Sequence, residues 1–169
     1  MVKRLKWIDR DFGFDFPVGM FPMILARLRG APARLDEIAH NLLPDTVAED
    51  IDGGWSVKET VGHLISVESL HAGRLDDYDA GAEELRPADM SNTETYKARY
   101  NERDIDDLLK SFRSVREDFV RRIENLDEAG ASRSAHHPRL NKQMRVVDMA
   151  YFAAEHDDQH ISILLNLRD

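Results

Sequence analysis

The chain has no cysteine. Disulfides, thiolate metal sites and a cysteine nucleophile are excluded, and a cytoplasmic location is expected. Long apolar runs are lacking as well; nothing approaches the ~20 residues of a membrane span. The opening Met1-Val-Lys-Arg-Leu-Lys is basic but runs into Trp7-Ile-Asp-Arg rather than an apolar core, so no secretory signal is expected. Cationic charge is scarce: Lys and Arg total 23 against 32 Asp and Glu, a formal net charge of −9. An acidic surface argues against nucleic acid or anionic membrane as partner. No phosphate-cradling glycine loop and no basic-aromatic pattern is present. Strand signals, internal repeats and low-complexity tracts are also missing. The chain therefore reads as one domain, 1–169.

What the sequence does contain is helical periodicity. Ile24, Leu28, Ala31, Leu35, Ile38 and Leu42 form a stripe opening near Pro22, a residue favoured in a first turn. Pro32 lies inside this stripe, which predicts a kink or two helices in line. A second helix opens at the capping box Ser56-Val-Lys-Glu59, follows Trp55, and stops at Gly81. Residues 81–103 are a long connection, with a short helix within Asn92–Tyr100. A third helix starts at Asp104 and carries Ile105, Leu108, Leu109, Phe112, Val115, Phe119, Ile123 and Leu126. Residues 127–145 read as a loop, and a fourth helix runs from Val146 to Leu167. Helices of this length span roughly 30–37 Å. The expected architecture is an all-α four-helix bundle, with residues 1–20 as an irregular arm packed on it.

Seven histidines are present. His156 and His160 are four apart, on one helical face, inside the stripe of Met149, Ala153, Ile163, Leu164 and Leu167. Two inward imidazoles at this spacing suit a metal clamp or a hydrogen-bonded core pair. His63 lies two turns into the second helix, sharing a face with Thr60, Val67 and Leu70. Parallel packing of the second and fourth helices would separate the histidine levels by roughly 9 Å, antiparallel packing by roughly 4 Å. The antiparallel case requires a long crossover after the second helix, which 81–103 supplies. Ligand levels and loop lengths together give an up-down-down-up bundle.

The segments Trp55-Ser-Val-Lys-Glu-Thr-Val-Gly-His63-Leu and Ala154-Glu-His156-Asp-Asp-Gln-His160 resemble the two signature segments of the DinB-like superfamily. His137-Pro138-Arg-Leu and Lys6-Trp-Ile-Asp also resemble its members. The resemblance implies a DinB-like bundle, a homodimer, and one divalent metal ion per chain held by His63, His156 and His160. It includes thiol-dependent S-transferases, a thiol-dependent isomerase and proposed metal hydrolases. The implied activity is a metal-dependent transfer to a small-molecule thiol or water, acting on an electrophilic substrate. The alternatives are a non-catalytic metal-binding or stress-response protein, and a plain interaction bundle. Zinc is the first expectation, and nickel or iron also suit three imidazoles. Where relatives often have a further histidine, this chain has Gln159, which lies off the stripe centre.

Two carboxylates are candidates for catalysis. Asp157 flanks the ligands and can orient an imidazole or accept a proton, or be a solvated flank residue. Glu68 falls on the apolar stripe of Val57, Val61, Leu64, Ala72 and Leu75, so it needs a partner; an ion pair with an arginine is favoured over a general base. Glu59 is explained by its capping box. His71 reads as a core or flank histidine. Residues 131–145 hold Arg133, Arg139, Lys142, Arg145, His136 and His137 without an acid. This basic island either attracts an anionic substrate or pairs with acidic neighbours. Val67 and Leu70 give the second helix another apolar side, read as a homodimer face.

Overall fold

Six helices and one hairpin follow in chain order in a computed structural model that describes residues 3–51 and 54–168. They are α1 (Phe21–His40), α2 (Val57–Asp79), α3 (Thr93–Lys97), α4 (Ile105–Ile123), α5 (Glu128–Ser132), strands β1 (Ser134–His137) and β2 (Lys142–Arg145), and α6 (Val146–Leu164). The four long helices form the bundle. Side-chain pairs fix their directions. Arg27 and Arg34 meet Glu155 and Asp158, so α1 and α6 run parallel. Asp36 meets Arg113 and His40 meets Asp106, so α1 and α4 are antiparallel. Glu68 meets Arg116 while Asp76 meets Arg122, so α2 and α4 run parallel. This is the up-down-down-up order, and 81–103 is its crossover. No helix among the described residues is long and apolar enough to cross a membrane.

Local chemistry sets the ends. At α2 the Ser56 hydroxyl accepts from the Glu59 N–H (3.1 Å) and the Glu59 carboxylate accepts from the Ser56 N–H (3.0 Å). The helix ends before Gly81, whose φ of +67° suits a residue without Cβ. At α4 the Asp104 carboxylate accepts from Asp106 and Asp107 N–H groups. Pro32 does not divide the first helix: α1 is one helix through it.

The sequence reading missed the 127–145 segment. It folds as α5 and an antiparallel hairpin with Ser134 opposite Arg145 and His137 opposite Lys142. Four-residue strands carry too little alternation to stand out from a loop. The arm is irregular, as expected, with two short 3-10 turns. It is fastened to the hairpin side: Lys142 donates to the Phe12 carbonyl and Arg145 to the carbonyls of Phe14 and Phe16. Phe12 is buried between Trp7 and Phe152. The crossover docks on α2 at Gly62, where a Cβ would lie 2.2 Å from the Tyr100 ring, so only glycine admits this approach.

Candidate metal centre

The antiparallel contact of α2 and α6 brings His63, His156 and His160 together. His156 Nε2 lies 3.4 Å from His63 Nε2 and 3.2 Å from His160 Nε2. One ligand atom from each of the three falls within 4.8 Å of the others. Among the described residues, this cluster contains no carboxylate. Three ring nitrogens cannot all satisfy one another by hydrogen bonds, because each neutral imidazole carries one N–H. Nitrogens held about 2.0–2.1 Å from a tetrahedral zinc would be separated by about 3.3–3.4 Å. The observed spacings fit a cation between them.

The surroundings hold these rings neutral and oriented. His63 Nδ1 lies 3.2 Å from Thr95 Oγ1 on α3. With that N–H donated to the hydroxyl, Nε2 presents its lone pair to the cluster. Burial, then the charges of His160 and His71, push His63 down to about 3. Burial pushes His160 down to about 4, and burial with neighbouring cations drives His156 well below its ordinary value. Neutral imidazole is the form that binds a metal. Trp55 packs on His63 at 4.4 Å between ring centres and stacks on His160, while Trp7 meets His156 edge-on at 5.0 Å. His156 Nδ1 is buried and has no partner among the described residues.

The three histidines line a partly open cavity of about 570 Å³. Its walls come from α2, α6, the arm, the crossover and the hairpin. Val67 and Leu70 line this cavity. The side of α2 read from the sequence as a partner face thus also forms part of the cavity lining. Gln159 also lines it, and its Nε2 donates to the Leu5 carbonyl of the arm at 3.1 Å.

Glu68 and Asp157 point elsewhere. Neither lines the cavity; both meet Arg116 of α4 in the bundle interior. Asp157 is 1% exposed, so it is not a solvated flank residue, and it orients Arg116 rather than a histidine. The orienting role weighed for Asp157 falls to Thr95. Burial works against the Glu68 carboxylate, but Arg116 and His71 outweigh it and hold its pKa down. Burial pushes Asp157 up against the pull of Arg116. His71 is buried, its Nδ1 lies 3.0 Å from Glu68 Oε1, and its ring reaches the cavity.

The basic island is mostly neutralised. Arg133 pairs with Asp79, Lys142 with Asp11 and Arg145 with Asp148. Arg139 alone of its four Arg and Lys residues reaches the cavity. Thr95, Arg116 and the tryptophan walls were not singled out as site residues from the sequence. For Arg116 a signal was present: it follows Phe112 by four and precedes Phe119 by three, a charged residue on the apolar stripe.

Fold and site together define a class: a four-helix bundle with a convergent three-histidine cluster at the wall of an open cavity. The chain belongs to the DinB superfamily, which it matches over residues 27–164. Among solved structures it is similar to YfiT from Bacillus subtilis, with a TM-score of 0.75 and 16% identity over 94% of this chain and 91% of that one. That protein is described as a probable metal-dependent hydrolase with an unusual four-helix bundle topology. No curated protein matches the chain.

Proposed function

We propose that the chain is a single-domain metal-dependent enzyme in which His63, His156 and His160 hold one divalent ion per chain. Its reaction is transfer of an electrophilic group to water or to a small-molecule thiol: hydrolysis or S-transfer. The observation that carries this reading is the convergence of three Nε2 atoms in the wall of an open cavity, with no thiolate or carboxylate in the cluster. Three neutral ligands leave the ion its full charge and an open position, which would acidify a bound water or thiol. Zinc is the preferred ion; nickel and iron accept the same donors.

The chain's own residues supply the rest. Thr95 sets the ring of His63. Trp7 and Trp55 shield the cluster from solvent and lower the local dielectric. His71, with its Nδ1–H given to Glu68, is held in place in the cavity lining. Glu68 is thus a positioning residue and Asp157 a partner of Arg116. The resemblance to the superfamily supports a homodimer, and the lack of cysteine supports the cytoplasm; neither nucleic acid nor membrane suits the acidic surface.

The test is metal analysis of protein purified without a histidine tag, followed by turnover assays. Low-molecular-weight thiols with electrophilic acceptors test the transferase, and amides and esters test the hydrolase. About one divalent ion per chain and turnover of one class are expected. Metal without turnover would leave a non-catalytic metal-binding protein, and absence of metal uptake would sink the whole reading. Light scattering at micromolar concentration reads the dimer, which a one-chain mass would reject.

A further inference from the structure

Three residues line the cavity with side-chain N–H groups that no acceptor takes up among the described residues. Arg74 of α2 is only 2% exposed, and its Nε–H alone finds a partner among the described residues, the Arg86 carbonyl at 3.2 Å. Arg139 has a buried Nη2 with no partner, and its guanidinium lies 5.6 Å over the Phe152 ring. His137 is 1% exposed; its Nδ1 accepts from the Leu140 N–H at 3.2 Å, so Nε2 carries the proton. That Nε2 is buried and unpartnered. All three residues line the cavity that holds the histidine cluster.

No carboxylate pairs with Arg74 or Arg139 among the described residues, although the chain has 32 acidic residues. Three nearby arginines do have carboxylate partners. Arg86 is held by Asp77, Arg133 by Asp79 and Arg145 by Asp148. Arg74 is buried and feels Asp77 only as an unpaired influence, and Arg139 is half-buried with one Nη inside; holding such groups without an ion-pair partner is costly, and a chain this rich in acids had ample means to pair them. Guanidinium and imidazole N–H groups offer donors only, and the fork of arginine matches a planar carboxylate. Burial and the mutual repulsion of these groups lower Arg74 to about 10 and His137 to about 4, and an anion between them would relieve that repulsion.

The donors also sit at a defined distance from the histidines. Phe152 carries Arg139 on its face and His137 at 5.7 Å between ring centres. It precedes His156 by four residues, a rise of about 6 Å along α6. Trp7 bridges the two, 4.8 Å from Phe152 and 5.0 Å from His156. We propose that Arg74, His137 and Arg139 form a carboxylate subsite, so that the molecule acted on at the histidine cluster is a small organic acid held by its carboxylate a helical turn away. The reacting end of this proposal rests on the metal-dependent reading; the binding of the carboxylate does not.

The test therefore begins with metal-free full-length protein titrated calorimetrically at low salt with glutarate and with glutaramide. Glutarate should bind, and the diamide at least about tenfold more weakly, the scale of one charge-assisted hydrogen bond. Arg139→Gln, a partly exposed position, should weaken glutarate by a similar factor while metal uptake stays as in the parent. His156→Ala should do the reverse, losing metal and keeping glutarate. Equal binding of acid and diamide by the parent protein overturns the subsite whether or not any variant folds. Full glutarate affinity in Arg139→Gln overturns it too, and tighter binding of inorganic phosphate than of glutarate overturns the assignment to a carboxylate.

Discussion

Arg116 donates from Nη1 to the carbonyl oxygen of Leu28 at 3.3 Å. Leu28 precedes Pro32 by four residues, and proline has no N–H to give that carbonyl. The guanidinium of α4 therefore satisfies the acceptor that α1 leaves open. The same group holds Glu68 from α2 and Asp157 from α6. One side chain thus ties the four long helices at a single level and lets the first helix continue through an interior proline. His71 adds its ring to Glu68, so the buried polar cluster runs from the bundle axis to the wall of the cavity.

Replacement of Arg116 should accordingly be severe. Arg116→Met keeps much of the volume but leaves two buried carboxylates without a cation and the Leu28 carbonyl without a donor. Breaking a buried ion pair from one side costs about 3–5 kcal/mol. Urea unfolding followed by circular dichroism should show a loss of that order. Adding Glu68→Gln and Asp157→Asn should restore part of it, because the uncompensated charges go with the arginine. A loss below about 1 kcal/mol for Arg116→Met, the scale of an exposed pair, would show that the cluster carries little stability.

These contacts mark the limit of what the sequence reveals. The Ser56 capping box, the Asp104 cap, the Gly81 stop and the long stripes are local, and each is written within a few residues of where it acts. His63, His156 and His160 are legible because helical phase and loop length constrain which faces can meet. Arg116 meeting Leu28, and Thr95 meeting His63, join residues 88 and 32 positions apart. No periodicity encodes such pairings. The acids that neutralise Arg133, Lys142 and Arg145 belong partly to this group: Asp79 and Asp11 are remote, while Asp148 lies three residues from Arg145. The two readings of the basic island stay open in the sequence because its two remote partners lie outside the segment.

The histidine cluster makes a direct prediction. His156 is central, with its Nε2 near both other rings. His156→Ala should abolish most metal uptake while the helical circular dichroism signal stays. Metal content after reloading checks this, and unchanged stoichiometry would remove His156 from the ligand set.

Thr95 gives a finer test. Thr95→Val keeps the shape but removes the acceptor for His63 Nδ1–H. Loss of such an orienting partner typically weakens metal binding about 10–100-fold. Competition with a chelator of known affinity measures the change. Parent-like affinity would show that the hydroxyl does not set the ring.

The acid response follows from the lowered histidine values. His63 sits at about 3 and His160 at about 4, and His156 is also lowered; unfolded, each titrates near 6.5. Between these limits the unfolded chain binds protons that the native chain refuses. Stability from these groups is therefore complete above about pH 6.5 and is lost as the pH falls toward 4. His137, at about 4, acts in the same direction. His40 acts oppositely: backbone and Asp106 contacts raise it, so its contribution is present in acid and lost as the pH rises; its exposure keeps it small. The buried Glu68, with its lowered pKa, matters only toward its unfolded value of about 4.3, leaving the window from 6.5 to 5 mainly to histidines, with Asp157, pushed up by burial, working against them as the pH falls. Metal-free protein should lose urea resistance steadily across that window, and His160→Gln should lose less. Metal-loaded protein should hold its ion through this window and release it only toward pH 4 and below, where the folded rings begin to take up protons, because each ligand must be neutral to bind. A flat urea midpoint for metal-free protein between pH 7 and 5 would mean that the three rings take up protons in the folded state, and the neutral cluster described above would have to be abandoned.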